Sequence, residues 1–82
     1  MKKTIEIKNN LGMHATVAIN VTKYLVTVPN KVTIKLDGVS VDAKSVLGLL
    51  SLAGHKGNTI EVEVKGDNAE AIIDKLDEII NQ

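Results

Sequence analysis

The spacing of the apolar residues limits the possible folds of this chain more than any other feature, because it changes from segment to segment. Residues 3–8, 32–36, 39–41 and 60–65 alternate apolar and polar side chains, as strands with one buried face do. Asp37-Gly38 joins the second and third of these segments and is typical of a tight hairpin turn. The alternation therefore predicts four strands, two of which pair as a hairpin.

Three other segments place apolar residues at helical spacing. The stripe of the first, within residues 15–26, is formed by Val17, Ala18, Val21, Tyr24 and Leu25. Residues 45–52 form a second, short candidate with a Ser at the N-cap position, and residues 69–80 form a third. The segment 67–70 before the third resembles a capping box with Asp in place of Ser or Thr.

The order of these segments is β-α-β-β-α-β-α within 82 residues. Polar residues alternate along every strand, which indicates an antiparallel sheet with one face in water and helices over the other face. A chain of this length supports one modest core. The pattern therefore predicts a single α+β domain over residues 1–82.

The composition excludes several kinds of protein. The chain has no Cys, so it is not a disulfide-stapled module, a thiol enzyme or a Cys-ligated zinc protein. Its net charge of zero gives no basic footprint for nucleic acid, and without Arg it makes no bidentate guanidinium contact to phosphate. Neither a membrane span nor a leader sequence is recognisable, so we expect a cytoplasmic protein without membrane insertion.

The zero net charge conceals an uneven distribution. Residues 1–56 hold eight Lys and three acidic residues, whereas residues 57–82 hold two Lys and seven acidic residues. In a single compact domain this distribution predicts one basic face and one acidic face. Ordinary solvated surface charge is the alternative interpretation.

His14 and His55 are the two imidazole side chains. His14 stands between a Gly-containing turn and the predicted start of the first helix, where unpaired amides create positive potential. A phosphoryl group on that imidazole would be stabilised there, although a lone His at a helix start is more commonly a cap or a surface residue. His55 lies in the loop 54–57 and is more simply a loop residue. No metal-ligand spacing and no Ser-His-acid triad is recognisable, so we expect no metal and no cofactor.

Ser45 is a predicted N-cap, and a phosphate added to it would meet a favourable helix dipole and could pair with Lys44. Gly48 within the same helix costs roughly 1 kcal/mol against Ala, which indicates either close approach by another group or no role. Leu47 and Leu50 form an exposed apolar patch unless both face the core, and such a patch marks a partner site.

Two segments resemble motifs of one family. Residues 11–15 (LGMHA), followed by Ala18, resemble the active-site motif of HPr, the histidine-containing phosphocarrier family of the bacterial sugar phosphotransferase system. Residues 43–52 (AKSVLGLLSL) resemble its regulatory-serine segment. The separation of the two segments, the chain length and the element order agree with this family over essentially the whole chain. The resemblance implies an open-faced β-sandwich, a four-stranded antiparallel sheet with three helices on one side.

The resemblance also implies a role. HPr proteins accept a phosphoryl group from Enzyme I, itself charged by phosphoenolpyruvate, and pass it to the IIA domains of sugar permeases. The acceptor would be Nδ1 of His14, which makes the chain a phosphoryl carrier with a phosphohistidine intermediate rather than a free-standing enzyme. The family is mostly monomeric. The implied partner surface lies on the first two helices and includes Ile19, Lys23, Leu47, Gly48 and Leu50.

Ser45 matches the serine that a dedicated kinase/phosphorylase modifies in Gram-positive members of the family. In those members the phosphoserine form binds a transcriptional repressor for catabolite control and is a poorer acceptor for Enzyme I. The resemblance therefore implies regulatory phosphorylation at Ser45.

The active-site motif departs from the family at Thr16 and Val17, where the family has Arg and then Pro. The family Arg contacts the phosphoryl group, and the loss of a charge-assisted contact slows transfer by roughly ten- to a hundredfold. Val17 gives up the fixed φ of Pro but restores a backbone N–H. Lys23, about two turns further along the helix, is too distant and solvent-screened to replace the Arg. Two other functions stay open: a divergent regulatory binding module acting through Ser45, and a small interaction domain without phosphochemistry.

Overall fold

The computed structural model describes residues 1–52 and 54–82. The elements are β1 (Lys2–Glu6), α1 (Ala15–Leu25), β2 (Val32–Leu36), β3 (Val39–Asp42), α2 (Val46–Ser51), β4 (Thr59–Val64) and α3 (Ala69–Ile80). The β-α-β-β-α-β-α order predicted from the apolar spacing is confirmed, and the observed bounds lie within two residues of the predicted ones.

The strands form one antiparallel sheet in the order β1-β4-β2-β3. Its two faces follow from the alternation along β4, in which Ile60, Val62 and Val64 are buried while the residues between them are partly exposed. The helices pack on the buried face, where α1 contacts α2 and α3, α2 contacts β3, and α3 contacts β4. The predicted α+β architecture, with three helices on one side of a four-stranded antiparallel sheet, is therefore confirmed.

The hairpin turn between β2 and β3 has the conformation that its sequence predicts. Asp37 and Gly38 have φ angles of 51° and 82°, and Leu36 pairs directly with Val39. Two successive residues with positive φ match the right-handed twist of the two strands. The turn therefore fixes the register in which β3 joins the sheet.

The core is a single cluster of buried aliphatic side chains. Both long helices contribute the faces predicted for them, although Tyr24 of the α1 stripe is only half-buried. Ile7 lies just beyond β1 and is completely buried, and its N–H donates to the carbonyl of Asn58 at 2.8 Å. The end of β1 is therefore hydrogen-bonded to the loop that precedes β4.

The capping box predicted at the start of α3 is wrong. The N-cap is Asn68, in a left-handed conformation with φ 61° and without a side-chain cap bond. Because the helix begins one residue later than a cap at Asp67 requires, Glu70 stands at the second helical position instead of the third. Asn30 orders this segment instead, since its Nδ2 donates to the carbonyls of Lys65 and Asp67 at 2.8 Å each.

The sheet interleaves the basic and acidic segments of the chain. Lys2 pairs with Glu63 and Lys35 pairs with Glu61 in the strand register, so opposite charges face each other across the strands. The predicted separation into one basic and one acidic face therefore fails on the outer face of the sheet. Among the described residues, no helix is long and apolar enough to cross a membrane.

Candidate functional site

His14 is the N-cap of α1, and its side chain makes no capping hydrogen bond. The residue is half-buried, with φ −93° and ψ 177°, and its carbonyl accepts the N–H of Ala18 at 3.0 Å. An α-helix leaves the amides of its first turn without intrahelical acceptors. The imidazole of His14 therefore stands beside the uncapped, electropositive start of α1.

Thr16 and Val17 contribute to this site in different ways. The side chain of Thr16 is exposed, whereas Val17 is 7% exposed and packs in the core. Only the backbone N–H of Val17 can therefore face an anion, while Thr16 can offer both its N–H and its hydroxyl. Neither residue supplies a charge.

The turn before His14 is held by a second loop that lies some forty residues away in sequence. Met13 donates its N–H to the carbonyl of Gly54 at 2.9 Å, and its side chain is buried. Gly12 has φ +68°, and its α-carbon faces the Gly54 carbonyl so closely that a Cβ would overlap that oxygen. The turn can therefore approach Gly54 only because residue 12 has no side chain.

This contact brings His55 and Lys56 beside the His14 turn, a proximity that the sequence analysis missed. The α-carbon of His55 is 3.0 Å from the position of a Cβ on Gly12, and Nζ of Lys56 donates to Oδ1 of Asn10 at 3.0 Å. The only signal in the sequence was the presence of a Gly at each end of the contact. The presence of glycines alone does not predict which of them come into contact.

Ser45 is the N-cap of α2, as predicted, and its Oγ accepts the N–H of Gly48 at 3.0 Å. The residue is half-buried. Its hydroxyl oxygen therefore stabilises the short helix, and its hydroxyl proton is not used in that bond.

The ammonium group of Lys44, which the sequence places beside Ser45, is engaged by another part of the chain. Its Nζ donates to the carbonyl of Val28 at 2.8 Å in a partly buried position, and its N–H donates to Oδ1 of Asp42 at 2.9 Å. The lysine is thus engaged in joining α2 to the segment after α1. A phosphate on Ser45 would compete with the carbonyl of Val28 for this ammonium group.

Gly48 is explained by a contact within the chain. A Cβ on Gly48 would lie 3.3 Å from Cβ and Oγ of Ser45 and 3.3 Å from Cβ of Val41. The close approach inferred from a glycine inside a helix is therefore real, and the approaching groups are the cap of α2 and strand β3. No external partner is needed to account for this glycine.

Four apolar side chains are exposed on the elements around His14. Leu11 is 74% exposed and Leu47 79%, while Ile19 and Leu50 are 42% and 37% exposed. Leu49 between the two helical leucines is completely buried, so α2 presents one apolar side to the core and another to solvent. The exposed patch predicted from Leu47 and Leu50 is therefore present.

Two other features bear on the chemistry of the molecule. Lys23 lies in the last turn of α1, roughly 13 Å along the helix from His14.

An open cavity of about 830 Å³ lies at the far end of α1, beside Tyr24, Pro29 and Lys65, and does not include His14. His14 thus occupies a surface turn, which suits transfer between proteins better than enclosure of a small substrate.

The comparison with known proteins accounts for this arrangement. The model of the PTS HPr component phosphorylation site matches residues 1–82 of the chain. The chain belongs to the HPr family. Phosphocarrier protein HPr of Neisseria meningitidis is 38% identical over 73 residues, which cover 88% of this chain and 82% of the relative. Phosphocarrier protein NPr of Escherichia coli is 39% identical over 71 residues, covering 85% and 79%.

Solved structures of the HPr family share the fold. HPr of Bacillus anthracis superposes with a TM-score of 0.89 at 26% identity, covering 96% of this chain and 94% of that one. Crh, the catabolite repression containing protein of Bacillus subtilis, gives a TM-score of 0.75 at 26% identity, covering 93% and 87%, and was described as a dimer with a swapped domain. Within residues 1–52 and 54–82, no three His, Asp or Glu side chains gather as a metal site would require.

Proposed function

We propose that this HPr-family chain carries phosphoryl groups between proteins of the phosphotransferase system, with His14 as the acceptor. In this proposal Enzyme I supplies the phosphoryl group and the IIA domains of sugar permeases receive it. The observation that carries the proposal is an imidazole at the start of α1 whose side chain is not used as a cap. Membership of a family of phosphocarriers supports it.

The transfer step is a displacement at phosphorus. The lone pair of His14 Nδ1 forms the new N–P bond while the bond between phosphorus and the nitrogen of the donor breaks, and the donor imidazole keeps that electron pair. The free amides of the first turn of α1 would hydrogen-bond the phosphoryl oxygens. Because Thr16 stands where the family has Arg, we expect transfer roughly ten- to a hundredfold slower than in a member with that Arg.

The partner surface in this proposal consists of Ile19, Lys23, Leu47, Gly48 and Leu50. Three of these are exposed apolar side chains on two neighbouring helices, and interfaces typically bury such groups at their centre. Gly48 would contribute only its backbone, because it has no side chain and Ser45 and Val41 occupy the space that a Cβ would need. His14 is half-buried at the start of α1, the helix that also carries Ile19 and Lys23.

Phosphorylation by purified Enzyme I and phosphoenolpyruvate tests the proposal. We expect an adduct of a single phosphate that is labile in acid, as a phosphoramidate is, and that is absent from His14→Ala. Ser45→Ala is the matched control and should be labelled as the wild type is. Absence of the adduct at every concentration of Enzyme I would refute the role of His14 as acceptor.

A second candidate function is a regulatory binding module acting through Ser45, with weak or no transfer through His14. The structural similarity to Crh favours it, as does the replacement of the family Arg and Pro by Thr16 and Val17. An HPr kinase/phosphorylase should then give an acid-stable adduct that Ser45→Ala abolishes, and the modified protein should bind a catabolite-control repressor. Unmodified Ser45, or unchanged repressor binding, would refute this function.

A further inference from the structure

The loop at residues 54–58 is hydrogen-bonded to the end of β1. Gly57 donates its N–H to the carbonyl of Ile7 at 2.8 Å, and Ile7 donates its own N–H to the carbonyl of Asn58 at 2.8 Å. Within the loop, Oδ1 of Asn58 accepts the N–H of His55 at 2.7 Å. The backbone that carries Lys56 is therefore held by hydrogen bonds on both sides of this residue.

The same loop contacts the turn that carries His14. The bond from Met13 N–H to the Gly54 carbonyl and the contact of Gly12 with His55 place the two backbones side by side. From that contact and the standard spacing of α-carbons, those of His14 and His55 are at most about 12 Å apart. Lys56 follows His55 directly, and its ammonium group already reaches Asn10, four residues before His14, so it lies beside the turn that carries His14.

Lys56 is available for such a contact. Its ammonium group donates to the neutral amide oxygen of Asn10, and neither of the two ion pairs formed by the described residues includes it. Residues 7–36 and 43–60, which supply both loops, contain no Asp or Glu. No ion pair among the described residues therefore competes with a phosphoryl dianion on His14 for this ammonium group.

We propose that Lys56 is a phosphoryl-binding residue that partly offsets the positive charge missing at Thr16. This inference rests on the proposed acceptor role of His14. When Nδ1 of His14 forms its bond to phosphorus, the Lys56 ammonium turns from Asn10 to a phosphoryl oxygen, with no proton exchanged. His55, on the same loop, lies beside Gly12 through its α-carbon.

The experiment compares Lys56→Gln with Lys56→Arg and with Lys65→Gln. Lys65 is exposed and lines the cavity at the far end of α1, so its loss removes the same charge at a remote place. Phosphorylation is measured with Enzyme I and phosphoenolpyruvate and, separately, with phosphoramidate, a small donor that needs no protein partner. The titration of the bound phosphoryl group is followed by phosphorus NMR, because a purely structural role of Lys56 would not move it.

We expect Lys56→Gln to lower the rate about tenfold with both donors and to move the phosphoryl titration to higher pH. Lys56→Arg should restore both properties, and Lys65→Gln should change neither. Equal rates and titrations for Lys56→Gln and Lys65→Gln would overturn the inference. Labelling by phosphoramidate but not by Enzyme I would refute the proposed function while still deciding the role of Lys56, and absence of labelling by either donor would overturn both.

Discussion

The starts of α1 and α2 are two helix N-termini with opposite uses. At α2 the N-cap side chain of Ser45 closes the first turn by accepting the N–H of Gly48. At α1 the N-cap His14 leaves that position unused, and a turn held against Gly54 keeps the imidazole at the helix end instead. The α2 cap contributes to stability, whereas the α1 cap leaves its side chain and the first amides free for chemistry.

Each helix start also contains a glycine that lets another group approach. Gly12 admits the backbone of Gly54, which is a contact between distant parts of the chain. Gly48 admits the side chains of Ser45 and Val41, which is a local contact. The turn before His14 therefore depends on packing between distant loops, whereas the start of α2 depends on its own cap and on the neighbouring strand β3.

The largest effect is expected from Gly12→Ala, which breaks the packing that positions His14. The added Cβ would overlap the Gly54 carbonyl, and Ala would be forced to keep φ near +68°. Together these should lower the free energy of unfolding by about 2–3 kcal/mol and slow phosphorylation of His14. Urea unfolding and the Enzyme I assay measure the two consequences.

Gly38→Ala is the matched control for this substitution. Gly38 has φ +82° in the hairpin turn, but no atom lies within 4 Å of a Cβ there. It should therefore lose only about 1 kcal/mol, from backbone conformation alone. Equal losses for the two variants would show that the contact between Gly12 and Gly54 does not stabilise the His14 turn.

The secondary structure and the cap of α2 could be predicted from the sequence because they depend on local patterns. Alternation located the strands, Asp37-Gly38 located the hairpin, and the N-cap role of Ser45 followed from its place before an apolar stripe. The family of the chain followed from the segments around His14 and Ser45 and is confirmed.

What the sequence did not predict depends on contacts between distant residues or on the exact conformation of a helix start. The hydrogen bond from Met13 to Gly54 joins residues forty-one positions apart, and the apolar spacing of a sequence does not predict contacts at that distance. Lys44 directly precedes Ser45 in the sequence, yet its ammonium group bonds to the carbonyl of Val28. The capping box predicted before α3 is absent because the N-cap is Asn68, in a left-handed conformation, and the helix therefore begins one residue later than predicted.

A smaller effect is expected from exchanging the two caps. Ser45→Ala should lower the free energy of unfolding by about 1 kcal/mol, because the amide of Gly48 loses its acceptor. His14→Ser should raise it by a similar amount, since His14 already has the extended backbone of an N-cap and a Ser there can close the first turn. Thermal and urea unfolding of both variants test this. A loss of stability in His14→Ser would mean that the imidazole itself stabilises the start of α1.

The smallest effect, and the most local one, is expected from Gly48→Ala. Ala is favoured over Gly inside a helix by about 1 kcal/mol, but here its Cβ would meet Ser45 and Val41 at 3.3 Å. We therefore expect a gain in unfolding free energy well below that value.

The same substitution made in Ser45→Ala should be more favourable by about 0.5 kcal/mol, because the Oγ contact is gone. Urea unfolding of the wild type, both single variants and the double variant gives this coupling energy. A full gain of about 1 kcal/mol in the wild-type background would show that Gly48 is not required by the cap of α2. A partner that needs its bare backbone would then be the remaining reason for a glycine at this position.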